Sequence, residues 1–391
     1  MRRIAAVAAF ATVLLSVVVG GHFYIARRLV LDPGLPEPWR ALALGGIGAL
    51  GATLFLQPFG ERLLRRPLAR LIAWPASLWM GLAFLLVLLL GATDLLLGLG
   101  GAAAHAAGAA PLEPRGAAQV RAAGVLAGAL ALGAVGLRSA LRPPALRRLE
   151  VRLPRWPAAL DGFRIVQISD LHIGPILDRR FARALARRVN ALRPDLVAVT
   201  GDLVDGSVRR LADEVAPLAE LRAEHGVWFV TGNHDHYSGA RAWAARAAEL
   251  GMRPLRNERV RVGSGAAAFD LAGVDDHRGD LVGGEGGEDL ERALAGRDPA
   301  RPLILLAHDP TTFKRASRMG VDLQLSGHTH GGQIWPFGYL VRLVVPFVAG
   351  LYERGGARLY VSRGTGFWGP PLRLRAPAEI TEIALRRGAE G

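Results

Sequence analysis

Apolar positions fall into two regimes along the chain. Up to about residue 141 they form long blocks: Ile4–Ile25, Ala41–Phe59, Trp74–Thr93 with apolar residues continuing to Leu99, and Ala117–Leu137. Each block is near the ~20 residues a helix needs to cross a bilayer, so an all-α segment of four transmembrane helices is predicted. From about Leu149 the blocks shorten and alternate with helical spacing. Phe163–Ile168, Asp195–Thr200, Val227–Thr231, Phe269–Val274, Leu303–Ala307, Val321–Leu325, Arg358–Ser362 and Glu379–Leu385 read as strands, and Asp178–Leu192, Val208–Glu224 and Ala240–Leu250 as helices. This alternation predicts a layered α/β domain. Pro143-Pro144 and the arginine-rich stretch after it read as a linker. The expected organisation is a transmembrane region over 1–141, a linker over 142–160 and a folded α/β domain over 161–391. Gly279–Glu288 is a glycine-rich acidic loop.

The first block has two readings, a cleaved signal peptide or a retained anchor; the three further blocks favour the anchor. Arginine bias sets the expected orientation. With the N-terminus inside, Arg2, Arg3, Arg62, Arg65, Arg66, Arg70, Arg138, Arg142, Arg147 and Arg148 flank the inner side, against Arg27, Arg28, Arg40, Arg115 and Arg121 outside. Both ends are therefore expected in the cytoplasm of a multi-pass protein of the inner (cytoplasmic) membrane. Asp94 reads either as an intramembrane functional group or as the outer end of the third span, with Leu95–Ala110 along the interface.

Composition narrows the chemistry. The 391 residues include no cysteine, which excludes disulfides, thiolate metal sites and a cysteine nucleophile. The net charge of +14 is almost all arginine, Lys314 being the single lysine. A basic balance suits nucleic acid, anionic lipid or phosphate-bearing substrates. Aromatic-interleaved basic patches of the single-strand-binding type are absent from the sequence, so no nucleic-acid partner is expected.

Polar groups gather at the ends of the predicted strands. Asp170-x-His172 follows the first strand, Gly201-Asp202 the second, and Gly232-Asn233-His234-Asp235 the third; His308 and Gly327-His328-x-His330 follow two later ones. Open α/β sheets place their sites at the carboxyl ends of strands. Carboxylate oxygen, amide oxygen and imidazole nitrogen suit divalent Mn, Fe, Zn or Mg. Asp170, His172, Asp202, Asn233, His308, His328 and His330 make seven candidate ligands, with His234 in addition; seven exceed the needs of one tetrahedral ion and fit two ions sharing a bridging carboxylate. Such a pair would clamp a phosphoryl group and generate hydroxide at neutral pH as the nucleophile.

In order and spacing these blocks resemble the calcineurin-like metallophosphoesterases over about Arg164 to Leu385. Ser326–Ile334 (SGHTHGGQI) and Tyr360–Gly366 (YVSRGTG) are similar to the branch that includes the membrane-associated bacterial proteins YkuE and YaeI. The resemblance implies a layered α/β/β/α domain and two divalent metal ions. Asp170, His172 and His330 would hold one ion, Asn233, His308 and His328 the other, with Asp202 between them. His234 would face the phosphate, either stabilising charge or protonating the leaving oxygen, with Asp235 as an orienting partner; Arg363 would contact phosphate. Asp205 reads as a structural loop cap, and Asp275, Asp276 and His277 as either substrate-facing groups or a plain turn. Some relatives in the branch hydrolyse UDP-diacylglucosamine in lipid A synthesis.

The function expected is therefore a membrane-anchored, metal-dependent hydrolase of phosphoester or pyrophosphate bonds. Two alternatives stand beside it: a receptor or transporter subunit that only binds a phosphorylated ligand, and a nucleic-acid phosphodiesterase. Leu340–Leu351 (LVRLVVPFVAGL) and Phe367-Trp368 lie close to the motif loops and are apolar. They read either as core or as a groove for an amphiphilic phosphorylated substrate. Pro346 and Gly350 argue against a regular element there.

Overall fold

The computed structural model describes residues 2–106, 114–280 and 286–388. The chain divides into two compact units, one of residues 1–138 with 369–372, the other of residues 139–368 with 373–391. Four long helices build the first: α1 (Arg2–Ala26), extended by a wider π turn over Arg27–Leu31, α2 (Trp39–Leu63), α3 (Arg66–Ala106) and α4 (Pro114–Leu141). Three stretches, Trp39–Leu63, Arg66–Ala103 and Arg115–Leu141, are long and apolar enough to cross a membrane. The block Ile4–Ile25 is helical as well.

The third block departs from expectation. No break follows Asp94: α3 runs on to Ala106 through a leucine- and alanine-rich stretch that helices favour. Residues 107–110 of that run lie outside the described residues, as do 281–285 of the glycine-rich loop. Asp94 is tied down from three sides. It accepts a hydrogen bond from the Tyr24 hydroxyl at 2.6 Å, pairs with Arg28 at 2.9 Å and also with Arg121. Arg28 is shared with Asp32 at 2.9 Å. Charges among apolar helices persist only when paired in this way.

The second unit holds two six-stranded sheets. The first runs β1 (Ala145–Leu153), β12 (Glu379–Arg387), β2 (Phe163–Ile168), β3 (Leu196–Thr200), β4 (Val227–Val230), β5 (Met252–Pro254). The second runs β10 (Gly350–Arg354), β11 (Ala357–Val361), β9 (Leu323–Ser326), β8 (Leu303–Leu306), β7 (Ala267–Gly273), β6 (Glu258–Ser264). Strand periodicity sorts the core into layers. Ile165, Leu196, Ala198 and Val230 turn inward against Phe269, Leu271, Ile304, Leu306, Leu323 and Leu325 of the facing sheet. Val166, Ile168, Val197, Val199 and Phe229 turn outward, where α5 (Arg179–Ala191), α6 (Val208–Val215) and α8 (Ala240–Glu249) cover them with Leu185, Val189, Leu211, Val215 and Trp243. On the far side α9 (Leu290–Leu294) and α10 (Phe313–Ala316) cover the second sheet. The short α7 (Asn233–Tyr237) and α11 (Phe337–Val344) leave from strand-end loops. This is the expected α/β/β/α sandwich.

Several elements differ from the sequence reading. Part of the stretch read as a linker is β1, paired in parallel with β12. Its Leu149, Val151 and Leu153 alternate with Arg148, Glu150 and Arg152, a period-two pattern hidden by the charge. Strands β5, β6 and β10 are too short or too polar to stand out. The helix from Val208 ends at Val215, because Pro217 tightens the chain into a 3-10 turn. Trp156, just after β1, is almost fully buried and packs on Phe163 and Phe269. Trp156→Ala should therefore cost about 3–5 kcal/mol of stability, as deletions of buried aromatic rings do. Thermal melting of the detergent-solubilised chain checks this; an unchanged midpoint would mean the segment is a linker after all.

Candidate metal centre

Six of the seven predicted ligands gather where the strands of the two sheets end, and the seventh, Asn233, opens α7 just after β4. Five of them, Asp170, His172, Asp202, His328 and His330, sit in the left-handed backbone region, with φ between 45° and 75°. Non-glycine residues rarely adopt it, and such strain gathers at functional sites. Here it turns the chain sharply out of β2, β3 and β9. The loops also approach closely. A Cβ on Gly327 would lie 2.2 Å from Asp170 Oδ2, and one on Gly232 would lie 2.2 Å from Asp202 Oδ1, so only glycine fits at either place.

The ligand atoms form two groups. Asp170, His172 and His330 present one atom each within 4.8 Å of one another, and so do Asp202, His308 and His328. His172 Nε2 and His330 Nε2 lie 3.1 Å apart, and His328 Nδ1 and His308 Nε2 3.3 Å apart. Asp202 Oδ2 sits between the groups, 3.2 Å from His308 Nε2 and 3.6 Å from His172 Nε2. Asp170 Oδ2 and Asn233 Oδ1 are buried without any hydrogen-bond partner. A buried oxygen without a donor costs free energy unless something positive meets it. Two divalent cations fit this donor set: hard oxygens, imidazole nitrogens facing each other, and one carboxylate placed between.

Protonation in the site follows the same electrostatics. Burial works against a charged His172, but Asp205, Asp202 and Asp170 outweigh it and push the imidazole up to about 9. His308 is likewise driven up against its burial by Asp202. Asp202 is held well below the usual carboxylate range, since His308 and His234 overcome its desolvation. His330 and His328 are pushed down, by burial first and then by neighbouring imidazolium. Protons thus stand in for missing positive charge, and cation binding would displace them.

The supporting contacts fix the ring orientations. Thr200 O accepts the His308 Nδ1 proton at 2.8 Å, so Nε2, which faces Asp202, is the nitrogen that would give up its proton to a cation. Asp205 Oδ1 lies 2.9 Å from His172 Nδ1 and 2.7 Å from His234 Nδ1. Asp205 is therefore more than a loop cap: it orients both rings. This corrects the pairing of His234 with Asp235. The ring of His234 turns away from its chain neighbour, and Asp235 is fully buried, accepting from the Leu203 and Gly232 amides at 3.0 and 2.8 Å. Burial and the charge of Asp202 raise it to about 7. Its place is inside the loops rather than facing a substrate.

Arg363 lies beside the site but is anchored. It pairs with the buried Glu379 at 3.1 Å, and its stem covers Gly331 next to His330. Arg373 was not foreseen. Its buried guanidinium donates to Ala376 O at 2.7 Å and Arg363 O at 2.9 Å and lies 3.2 Å from His330 Nδ1. No sequence signal marks it, whereas Asp205 was within reach through the Asp202-x-x-Asp205 spacing. Replacing Asp205 by Asn should lower kcat for a phosphodiester by about 10² or more with metal content retained. Unchanged kcat would show that His234 needs no carboxylate partner.

The chain matches known proteins over part of its length. The profile of the calcineurin-like phosphoesterases matches residues 163–332. A transmembrane protein with metallophosphoesterase domain from Bos taurus is 44% identical over 266 residues, covering 65% of this chain and 60% of that protein. The uncharacterized metallophosphoesterase YkuE of Bacillus subtilis is 32% identical over 277 residues, covering 66% of this chain and 94% of YkuE. The crystal structure of a dimetal phosphatase from Danio rerio superposes with a TM-score of 0.38 at 14% identity, over 58% of this chain and 100% of that one. The chain spans about 60% of the length of the vertebrate relative. With 94% of YkuE covered at 32% identity and every motif of the family at a strand end, the chain belongs to the calcineurin-like metallophosphoesterases.

Proposed function

We propose that this protein is a membrane-tethered hydrolase of phosphoester or pyrophosphate bonds that acts through two divalent metal ions. The carrying observation is the paired ligand groups on either side of Asp202, with Asp170 Oδ2 and Asn233 Oδ1 buried and unpaired. Asp170, His172 and His330 would hold one ion, and Asn233, His308 and His328 the other. Such a pair supplies a polarised phosphoryl group and an activated water. His234 is suited to handle the leaving group's proton: its ring is partly exposed, fixed by Asp205, and packed edge-on against His172, Tyr237 and Trp368. An intact ligand set with a poised acid fits turnover better than mere binding of a phosphorylated ligand.

An exposed apolar face beside the site supports an amphiphilic substrate. The stretch read as irregular begins as helix α11, since Pro346 falls only after the helix has ended. Its second half is core, with Val345 and Val348 buried and Phe347 packed on Phe313 and Tyr352. Its first half is not. Tyr339, Leu340, Leu343 and Val344 are exposed, Leu343 and Val344 at 82% and 78%, and so are Trp335 and Trp368. Contiguous apolar surface of this kind marks lipid or ligand contact. It suits acyl chains in general, of a phosphorylated or nucleotide-linked glycolipid, and is not specific to UDP-diacylglucosamine.

Three experiments test this reading. With Mn²⁺ added, the chain should hydrolyse a chromogenic phosphodiester, and a chelator should stop it. Asp202→Ala should abolish turnover, while His234→Ala should keep a residue of it with good leaving groups only; equal, complete loss in both would remove the division of roles. Replacing Leu340, Leu343 and Val344 together by Ser should raise KM for a lipid phosphodiester about tenfold or more, yet leave a small soluble one unchanged, since each lost apolar contact is worth about 1 kcal/mol or more. Equal effects on both would make the face irrelevant to substrate.

A further inference from the structure

Asp275 and Asp276 are adjacent in sequence and both buried, but they are treated differently. Asp275 is fully compensated. Arg256 pairs with it at 2.9 Å and the Thr231 hydroxyl donates to it at 2.7 Å. Asp276 accepts a hydrogen bond from the Arg278 amide, at 2.8 Å on Oδ1. Its Oδ2 is buried without a hydrogen-bond partner, and among the described residues no arginine, lysine or histidine forms an ion pair with it. An anion in that position is costly unless a cation meets it.

Two further donors stand beside it. Asp276, His277 and Asp309 each present an atom within 4.8 Å of the others. Asp309 Oδ1 is occupied by the Thr311 amide and hydroxyl, at 2.7 and 2.6 Å. Asp309 Oδ2 is not held so closely: it lies 3.7 Å from His277 Nδ1 and 3.7 Å from His328 Nε2. These separations are too long for hydrogen bonds. None of the three is among the seven ligands of the pair, although Asp309 follows His308 in the chain and lies near His328. The Arg278 guanidinium, which interacts with both carboxylates, forms no hydrogen bond to Asp276 Oδ2, and two carboxylates with an imidazole make a donor set for Mn²⁺, Zn²⁺ or Mg²⁺.

We propose that Asp276, His277 and Asp309 hold a third divalent cation beside the metal pair. Its charge would neutralise the two buried carboxylates. It would also give a substrate with a second phosphate, such as a pyrophosphate, an additional contact that a simple phosphodiester does not use.

The test is metal content of the full-length protein in detergent, loaded with Mn²⁺, freed of excess and measured by elemental analysis. Wild type should hold three ions per chain, and His277→Ala should hold two. The His277 side chain is 43% exposed, so its removal spares the fold, and an unchanged melting midpoint of the metal-free protein checks that. Asp276→Asn serves as the second variant and should also hold two. Two ions in the wild type and two in both variants would overturn the third site and leave the pair standing. Three ions in all of them would place the extra ion elsewhere and overturn it too. Fewer than two ions in the wild type would contradict the pair itself and, with it, any third ion.

Discussion

The site is organised around a shortage of positive charge. Asp170, Asp202, Asp205 and Asp276 are brought together at the carboxyl ends of two sheets, largely out of water. Among the described residues no arginine side chain hydrogen-bonds Asp170 Oδ2 or Asp276 Oδ2, abundant as arginine is in the chain. Arg363 is spent on Glu379 and Arg256 on Asp275, while Arg373 is turned mostly to backbone carbonyls. What faces the carboxylates instead is imidazole, which can donate a lone pair or hold a proton. A protein that only needed to neutralise these acids would do so with guanidinium. The use of histidine, with nitrogens of neighbouring rings about 3 Å apart, leaves the compensation to cations from solution.

The rest of the unit holds that arrangement in place. Two sheets share one apolar layer, so the ends of β2, β3, β4, β8 and β9 face each other across a short gap. Left-handed turns at five ligands and the close-packed glycines at 232 and 327 let the loops fold back over the strand ends. Asp205 then couples the two functions of the site. One carboxylate sets His172, on the metal side, and His234, on the side open to substrate. Loss of that carboxylate would remove the contact that orients both rings.

How much of this was legible in the sequence depended on the kind of signal. Ligands with chain-adjacent glycine and a preceding apolar strand stood out, because a strand end, a sharp turn and a polar group must follow one another in sequence. Contacts made across the fold did not. The link from Asp205 to His234 spans separate loops, and Asp235, next to His234 in the chain, was the natural but wrong partner. Arg373 reaches His330 from 43 residues away, with nothing local to mark it. Strand β1 was lost in its own arginines, and α11 was obscured by Pro346, which ends the helix instead of preventing it.

The account stands or falls with cations flanking Asp202. Anomalous diffraction from crystals of the Mn²⁺-loaded protein tests this most directly. Two peaks roughly 3.5–4 Å apart are predicted, one beside Asp170, His172 and His330, the other beside Asn233, His308 and His328, with Asp202 between them. A single peak, or peaks away from Asp202, would contradict the account.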